Sequence, residues 1–362
     1  YYARRNPDVA SSGFGLLKHY VLFGQREGRQ PLPPALRLSL PVLQRDRPRA
    51  LLLFGTADRC DSIVFALTLA QKLRPTHEVI AVFKNGGALR SSFEICCAAT
   101  IDIPFEDGIH HKDWIALLQR LACELRPDFA ISVDESARPF VRGLTEAGVG
   151  VTQLVQNFAQ LVNPINEAYD FLWWAHRVVF PSALVANSYR KEHPHLLDRQ
   201  YDVLAITGTV THDIESPFGS DPALVDARKR LRSRCKPGAF VVLGSGPLSS
   251  RSGVDLFAAV AAKAISTGHS SRPLHFVWIH DEESPENAAE MRGLLDVFSA
   301  QHGLTASFEI LASPERVSDT ICAADLFALT ARLSALPNHA STAMAQGVPV
   351  VCFDQMNSLA ES

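Results

Sequence analysis

The sequence predicts an α/β protein made of two parallel-sheet halves, and three observations carry that prediction. Short apolar runs at residues 50–55 and 240–244 have the length and continuous hydrophobicity of strands buried on both faces. Each is followed by a stretch with helical apolar spacing, and the strand–helix alternation repeats along the chain, as in βαβ units. A polar stretch at about residues 212–236 interrupts the alternation, which then starts afresh. Two Rossmann-like halves with a cleft between them are therefore expected. The long 3.6-residue stripes of a helix-rich domain do not occur.

Residues 1–48 read as an arm and a connector. Asn6-Pro7-Asp8 starts a helix, since proline is favoured at the first helical position. Leu16, Leu17, Tyr20, Val21 and Phe23 continue with helical spacing, and Gly24 ends the run as a C-cap. One helix or two short ones are expected over residues 7–24, docked on the first half with Tyr20 and Phe23 buried. Five prolines between positions 31 and 48 mark an extended connector.

The first half, residues 49–211, opens on the run at 50–55, followed by a helix through Ile63, Leu67, Leu69 and Leu73. Strands are expected at 79–83, 129–133, 149–155 and 178–180, with helices at 114–125 and 137–147. Residues 212–236 form the linker. The second half, residues 237–362, carries strands at 240–244, 275–279, 308–311, 326–329 and 348–353, and helices at 253–265, 286–302 and 341–346. Trp173 and Trp174 precede a buried strand and read as core and interdomain packing. The chain stops at Ser362 before the last strand–helix segments that such a fold usually has.

Composition narrows the function classes. With 362 residues, 47% hydrophobic and 20% charged, the chain is an ordinary globular one, long enough for two domains. Collagen, a disulfide mini-protein and a wholly disordered chain are excluded, and no apolar run approaches the ~18 residues of a membrane-spanning helix. The opening Tyr1-Tyr2-Ala3-Arg4-Arg5 is neither an initiator methionine nor an apolar leader, so the chain reads as a piece of something longer. Its seven cysteines are scattered, and Cys352, in the run Val350-Val351-Cys352-Phe353, reads as a small buried hydrophobe. That usage fits a reducing cytoplasm and no metal site. Residues 1–49 carry nine Lys/Arg against three Asp/Glu, a net +6 that leaves −9 for the rest. Such an arm either packs on the acidic body or contacts a polyanion or anionic lipid, as at the inner face of a membrane. No aromatic-interleaved basic patch points to nucleic acid.

Several motifs fail. Gly244-Ser245-Gly246 stops short of a dinucleotide fingerprint, because Ser249 stands at the third glycine position. There is no phosphate-binding P-loop, nucleophile elbow or D-x-D motif. His110-His111 and His193-Pro194-His195 lie in polar loops and read as solvated histidines.

Three stretches converge on a known pattern. Residues 240–257, FVVLGSGPLSSRSGVDLF, give strand, glycine turn and helix, and residues 323–353, AADLFALTARLSALPNHASTAMAQGVPVVCF, follow at the expected distance. Together they resemble the nucleotide-sugar domain of family 4 (group 1) glycosyltransferases of the GT-B fold. Residues 149–182 resemble the end of that family's acceptor domain. The opening NPDV…LLKHYVLFGQREGRQP is similar to a short segment preceding glycosyltransferase domains in large bacterial polysaccharide-synthesis proteins. The resemblance implies transfer of a sugar from a nucleotide-sugar co-substrate to a glycan acceptor, retaining and metal-independent, with no resident cofactor. It also implies other domains of a larger polypeptide as partners.

The resemblance places the donor site at Gly244, Gly246 and Gly253, where backbone N–H groups and a helix N-terminus would face the diphosphate. His280, at a strand's carboxyl end beside Asp281 and Glu282, belongs there or to a plain polar loop. Arg251 either reaches the phosphates or is a solvated turn residue. Asn338 and His339 bond donor hydroxyls or cap the following helix. Gln156 and Asn157 follow a strand on the acceptor side and are candidates for contacting acceptor hydroxyls. The family's carboxylate pair falls on Ser334 and Thr342, so the catalytic residue is unknown. Pro247 and Ser252 stand where the family has Arg and Lys, Gln156 replaces a histidine, and His280 replaces a glycine. These losses keep a second reading open, a catalytically degenerate GT-B domain serving as a binding or scaffold module. A phosphorylase or epimerase on the same fold is a third.

Overall fold

The continuous apolar runs become the central strands of two parallel sheets in a computed structural model of the chain. The structure describes residues 1–32, 41, 43, 47–58, 60–103, 111–162, 167–195, 201–204, 222–280, 285–312, 317–354 and 356–361. Most of the expected connector, His110, the Asp281-Glu282 loop and residues 205–221 lie outside them.

The arm holds helices α1 (Tyr2–Arg5), α2 (Pro7–Ser11) and α3 (Leu16–His19), the last running on into a π-helical turn, Tyr20–Gly24. A polar clasp closes it. Arg29 donates to Asn6 Oδ1 at 2.9 Å and pairs with Asp8 at 2.8 Å and Glu27 at 2.5 Å. Tyr2 is buried against the edge of Tyr20, with its hydroxyl 3.1 Å from His19 Nδ1. Gly24 leaves room for the Tyr2 hydroxyl, which a Cβ there would meet at 2.3 Å. The expected burial is corrected here: Tyr2 and Val9 fill the arm's interior, Tyr20 is half-buried and Phe23 is 48% exposed. Nor is Gly24 a left-handed cap, since Gln25 follows it in right-handed helical geometry. Arg4 ties the arm to Asp113 at 3.1 Å.

The first sheet is built from β1 (Arg49–Phe54), α4 (Asp61–Leu73), β2 (Glu78–Phe83), α5 (Arg90–Cys96), β3 (Ala99–Asp102), α6 (His111–Leu125), β4 (Phe129–Ser132), α7 (Arg138–Glu146), β5 (Val151–Leu154), α8 (Glu167–Trp174), β6 (Arg177–Phe180), α9 (Ala183–Glu192) and β7 (Asp202–Val203). Its strand order is β3-β2-β1-β4-β5-β6-β7, and β1 to β6 pair in parallel. The order reverses between β1 and β4, the switch point at which open α/β sheets bind ligands. β1 and β2 are fully buried, and Phe54, Phe83 and Phe93 pack at 4.7–5.4 Å between ring centroids. Trp173 departs from the packing role expected of it: it is 49% exposed on α8, while Trp174 is half-buried beneath the Arg142 guanidinium.

The second sheet follows from α10 (Pro222–Ser233), β8 (Phe240–Ser245), α11 (Val254–Thr267), β9 (Leu274–His280), α12 (Pro285–Gln301), β10 (Phe308–Ala312), α13 (Val317–Cys322), β11 (Leu326–Leu329), α14 (Asn338–Ala345) and β12 (Val350–Cys352). Its order is β10-β9-β8-β11-β12, all parallel, with the switch between β8 and β11. Much of the stretch expected as a linker is instead α10, because Leu231 is buried with Val241, Leu243 and Phe327, and Ala227, one turn earlier on the same face, is buried too. Cys352 is exposed: it lies on β12, the edge strand of the sheet, where Val351 is exposed as well.

By their contacts the residues form two units, 1–156 with 162–179 and 193–202, and 157–161 with 180–192 and 203–362. The second unit thus includes α9, which packs against the terminal turn Ser358–Glu361. No helix among the described residues is long and apolar enough to cross a membrane.

Candidate functional site

The switch point of the second unit brings the carboxyl ends of β8 and β11 side by side, and the loops that follow them are fastened together. Thr330 Oγ1 donates to the Gly253 carbonyl at 2.8 Å, and the Arg332 amide donates to the Arg251 carbonyl at 2.9 Å. Arg332 also bonds the Ser250 carbonyl and grips Asp255 with both outer nitrogens at 2.8 Å. Finally Ser245 Oγ and His339 Nδ1 lie 2.8 Å apart, joining the end of β8 to the first turn of α14. These ties span up to 94 residues of sequence. They gather Gly246, Arg251, Gly253 and His339 into one locality.

Each glycine there has a definite cause. A Cβ at Gly244 would meet the Trp278 ring at 2.7 Å, so this glycine admits the core indole. Gly246 takes φ +138° and its amide donates to the Ile279 carbonyl at 2.9 Å, while its own carbonyl accepts from Trp278 Nε1. Gly253 has φ +78°, and a Cβ would come within 1.9 Å of the Thr330 carbonyl oxygen. Its amide bonds Ser250 O at 3.2 Å. Gly246 and Gly253 thus use their own N–H groups within the chain, and Gly244 serves packing.

Ser252, at the family's lysine position, turns its hydroxyl back onto the carbonyls of Pro247 and Ser249. Arg251 donates to Asn157 Oδ1 at 2.9 Å, within the same unit. Asp255 occupies the first turn of α11, where the helix macrodipole favours an anion, and the Arg332 guanidinium holds its carboxyl below the usual carboxylate range. The N-terminus of this helix already has an anion of the chain's own. Asp255, Arg332, Thr330 and Ser245 were not singled out from the sequence. The acidic residue just inside a glycine-started helix was a signal that could have found the first of them.

The remaining donor-side candidates are placed as follows. Asn338 and His339 begin α14 rather than cap it at Ser341, and Asn338 is buried. Thr342 is buried one turn further on. Ser334 lies in a bridge to Asn357, its amide donating to Met356 O at 2.9 Å. His280 is buried at the end of β9.

In the first unit, residues at the β1/β4 switch are packed and hydrogen-bonded. Asp134 accepts from the Ser136 and Ala137 amides at 3.0 and 3.2 Å and from Ser62 Oγ at 3.4 Å, and burial pushes its carboxyl pKa up. Gln156 is buried rather than exposed at a rim: its amide donates to Glu135 Oε1 at 2.9 Å and its Nε2 to Val133 O at 2.5 Å. Its Oε1 has no hydrogen-bond partner among the described residues. No group of three or more His, Cys, Asp or Glu among the described residues is arranged to hold a metal ion.

No protein-family model matches the chain, and no curated protein matches it. Solved structures do. HepE of Anabaena, crystallised in complex with UDP, superposes with a TM-score of 0.67 at 13% identity over 86% of this chain and 82% of that one. A glycosyltransferase from Rickettsia africae gives 0.68 at 14% identity over 87% and 81%. WaaG, a glycosyltransferase involved in lipopolysaccharide biosynthesis, gives 0.59 at 13% identity over 86% and 82%. The chain has the α/β fold of GT-B glycosyltransferases.

Proposed function

We propose that the chain is a glycosyltransferase-type domain of the family 4 (group 1) kind, taking a nucleotide-sugar donor and passing the sugar to a glycan acceptor. The reading includes retention of configuration, independence from metal, no resident cofactor and a cytoplasmic setting. The observation that carries it is the Ser245–His339 contact, which fastens the glycine turn to the start of α14 at the β8/β11 switch. In this reading His339 and Asn338 bond donor hydroxyls, Arg251 swings from Asn157 to the diphosphate, and the orphaned Gln156 Oε1 accepts a substrate hydroxyl. HepE, which has the same fold, was crystallised with UDP and with UDP-glucose, which supports a uridine nucleotide as the first donor to try.

A second reading, a degenerate domain kept for binding or scaffolding, is favoured by one observation: Asp255 sits at the helix end where a phosphate would bind, paired with Arg332. The missing Arg and Lys positions would have contributed roughly 1.5–3 kcal/mol each as charge-assisted hydrogen bonds, so their loss amounts to about two to four decades in affinity. Calorimetry with UDP, UDP-glucose and other nucleoside diphosphates separates the readings. The transferase reading expects saturable wild-type binding that His339→Ala weakens. The degenerate reading expects none in the wild type and a gain in Pro247→Arg/Ser252→Lys. Tight wild-type binding that the double change leaves alone or weakens removes the degenerate reading; no binding in either protein removes the donor site altogether.

A further inference from the structure

We propose that the arm is a peripheral docking element for an anionic lipid surface, independent of whether the sugar site is active. Six of the twenty large apolar side chains exposed among the described residues fall between positions 14 and 23: Phe14, Leu16, Leu17, Val21, Leu22 and Phe23. Phe14 lies just before α3, and the other five lie on α3 and the π-helical turn that continues it. The arm's own core does not need them, because Tyr2, Tyr20 and Val9 fill it and the Arg29 clasp closes it. Leu17 is 78% exposed, more than any other residue of the six.

Part of this surface is a joined cluster. The rings of Phe14, His19 and Phe23 lie 5.6–6.1 Å apart, and the Lys18 ammonium stands 5.3 Å from the Phe14 centroid. A cation among exposed aromatic and aliphatic groups is the composition of an interfacial helix, with apolar groups entering the acyl boundary and the charge held at the headgroups. Arg4, Arg5 and Arg26 are exposed on the same small unit.

Charge decides the occupant. Residues 1–32 carry five Lys/Arg against two Asp/Glu, a net +3, and the remainder −6, so an anionic surface attracts the arm and repels the body. A lipid surface also takes a mixed aliphatic and aromatic array without the shape complementarity that a protein partner needs. The shared apolar and basic chemistry thus orients the chain with its arm toward the membrane.

The test is co-sedimentation of the full chain with vesicles of phosphatidylcholine, alone or with about 30% phosphatidylglycerol, at a salt concentration low enough to leave a Debye length of ~10 Å. Leu17→Ser/Leu22→Ser and Lys18→Gln/Arg26→Gln change exposed side chains only, and thermal melts check that both variants fold. The wild type is expected on the anionic vesicles. The first variant should bind at least about tenfold more weakly, since each leucine loses its buried methylenes. The second should lose roughly thirtyfold on anionic vesicles, as two basic charges near the surface are removed. Absence of wild-type binding, or binding that both variants retain, overturns the proposal. So does a lipid-free dimer in sedimentation velocity that Leu17→Ser/Leu22→Ser abolishes, which would assign the face to a second copy.

Discussion

Replacing Asp255 by asparagine is expected to raise the affinity for nucleoside diphosphates by roughly ten- to a hundredfold. The carboxylate receives both outer nitrogens of Arg332 at 2.8 Å and sits in the first turn of α11. A diphosphate approaching that helix end meets a like charge; at roughly 5 Å and an effective dielectric of about 40–80 the repulsion is ~1–2 kcal/mol. The substitution also releases Arg332. Both partners of the pair are 40% exposed, so screening limits its own worth to ~1 kcal/mol or less. Together the two effects reach ~1–3 kcal/mol, which sets the expected gain. Asparagine keeps a side-chain acceptor at the helix end, so the cost to folding should be small. Titration calorimetry with UDP at two ionic strengths reads the effect, and the gain should shrink as salt screens it. An unchanged or lower affinity in a folded Asp255→Asn protein refutes the idea that this carboxylate occupies the anion position.

Three further outcomes test the fold beneath the site. Gly253→Ala should cost more than Gly268→Ala in urea unfolding: both have positive φ, worth ~1–2 kcal/mol, but only Gly253 faces a carbonyl at 1.9 Å, adding ~1–3 kcal/mol of steric strain; equal costs would break the Thr330–Gly253 tie. Leu231→Ala should cost about 2–5 kcal/mol, as for a buried core leucine, and a loss near zero would mean that α10 does not pack on the second core. Burial raises the Asp134 pKa, so the folded chain binds a proton that the unfolded chain releases. Its contribution to stability is full below the ordinary aspartate range and is lost as pH rises through the folded pKa. Asp134→Asn should flatten that part of the stability–pH profile, and the same slope in both proteins would contradict the burial argument.

Strand–helix alternation was readable in the sequence because burial on both faces of a parallel strand leaves a continuous apolar run, as in β1, β2 and β8. The helix α10 was hidden by polarity, since only a narrow face carrying Ala227 and Leu231 meets the core. Phe23 was expected inside from its helical spacing and Trp173 from its place before a buried strand, yet neither signal decides which side of a short helix is covered. At the site, the three glycines were identified as important positions, but their reasons lay in neighbours distant in sequence: the Trp278 indole, the Ile279 carbonyl and the Thr330 carbonyl.

By itself the sequence determined the fold class, the two sheets and the stretch that carries the glycine turn, because period, run length and backbone freedom are local properties of the chain. Only the tertiary structure decided what the turn's groups are bonded to. Asp255 and Arg332 are 77 residues apart, and Ser245 and His339 are 94 apart. Which donor meets which acceptor across such separations is set by how β8 and β11 come to lie side by side in the sheet. No local pattern records that pairing.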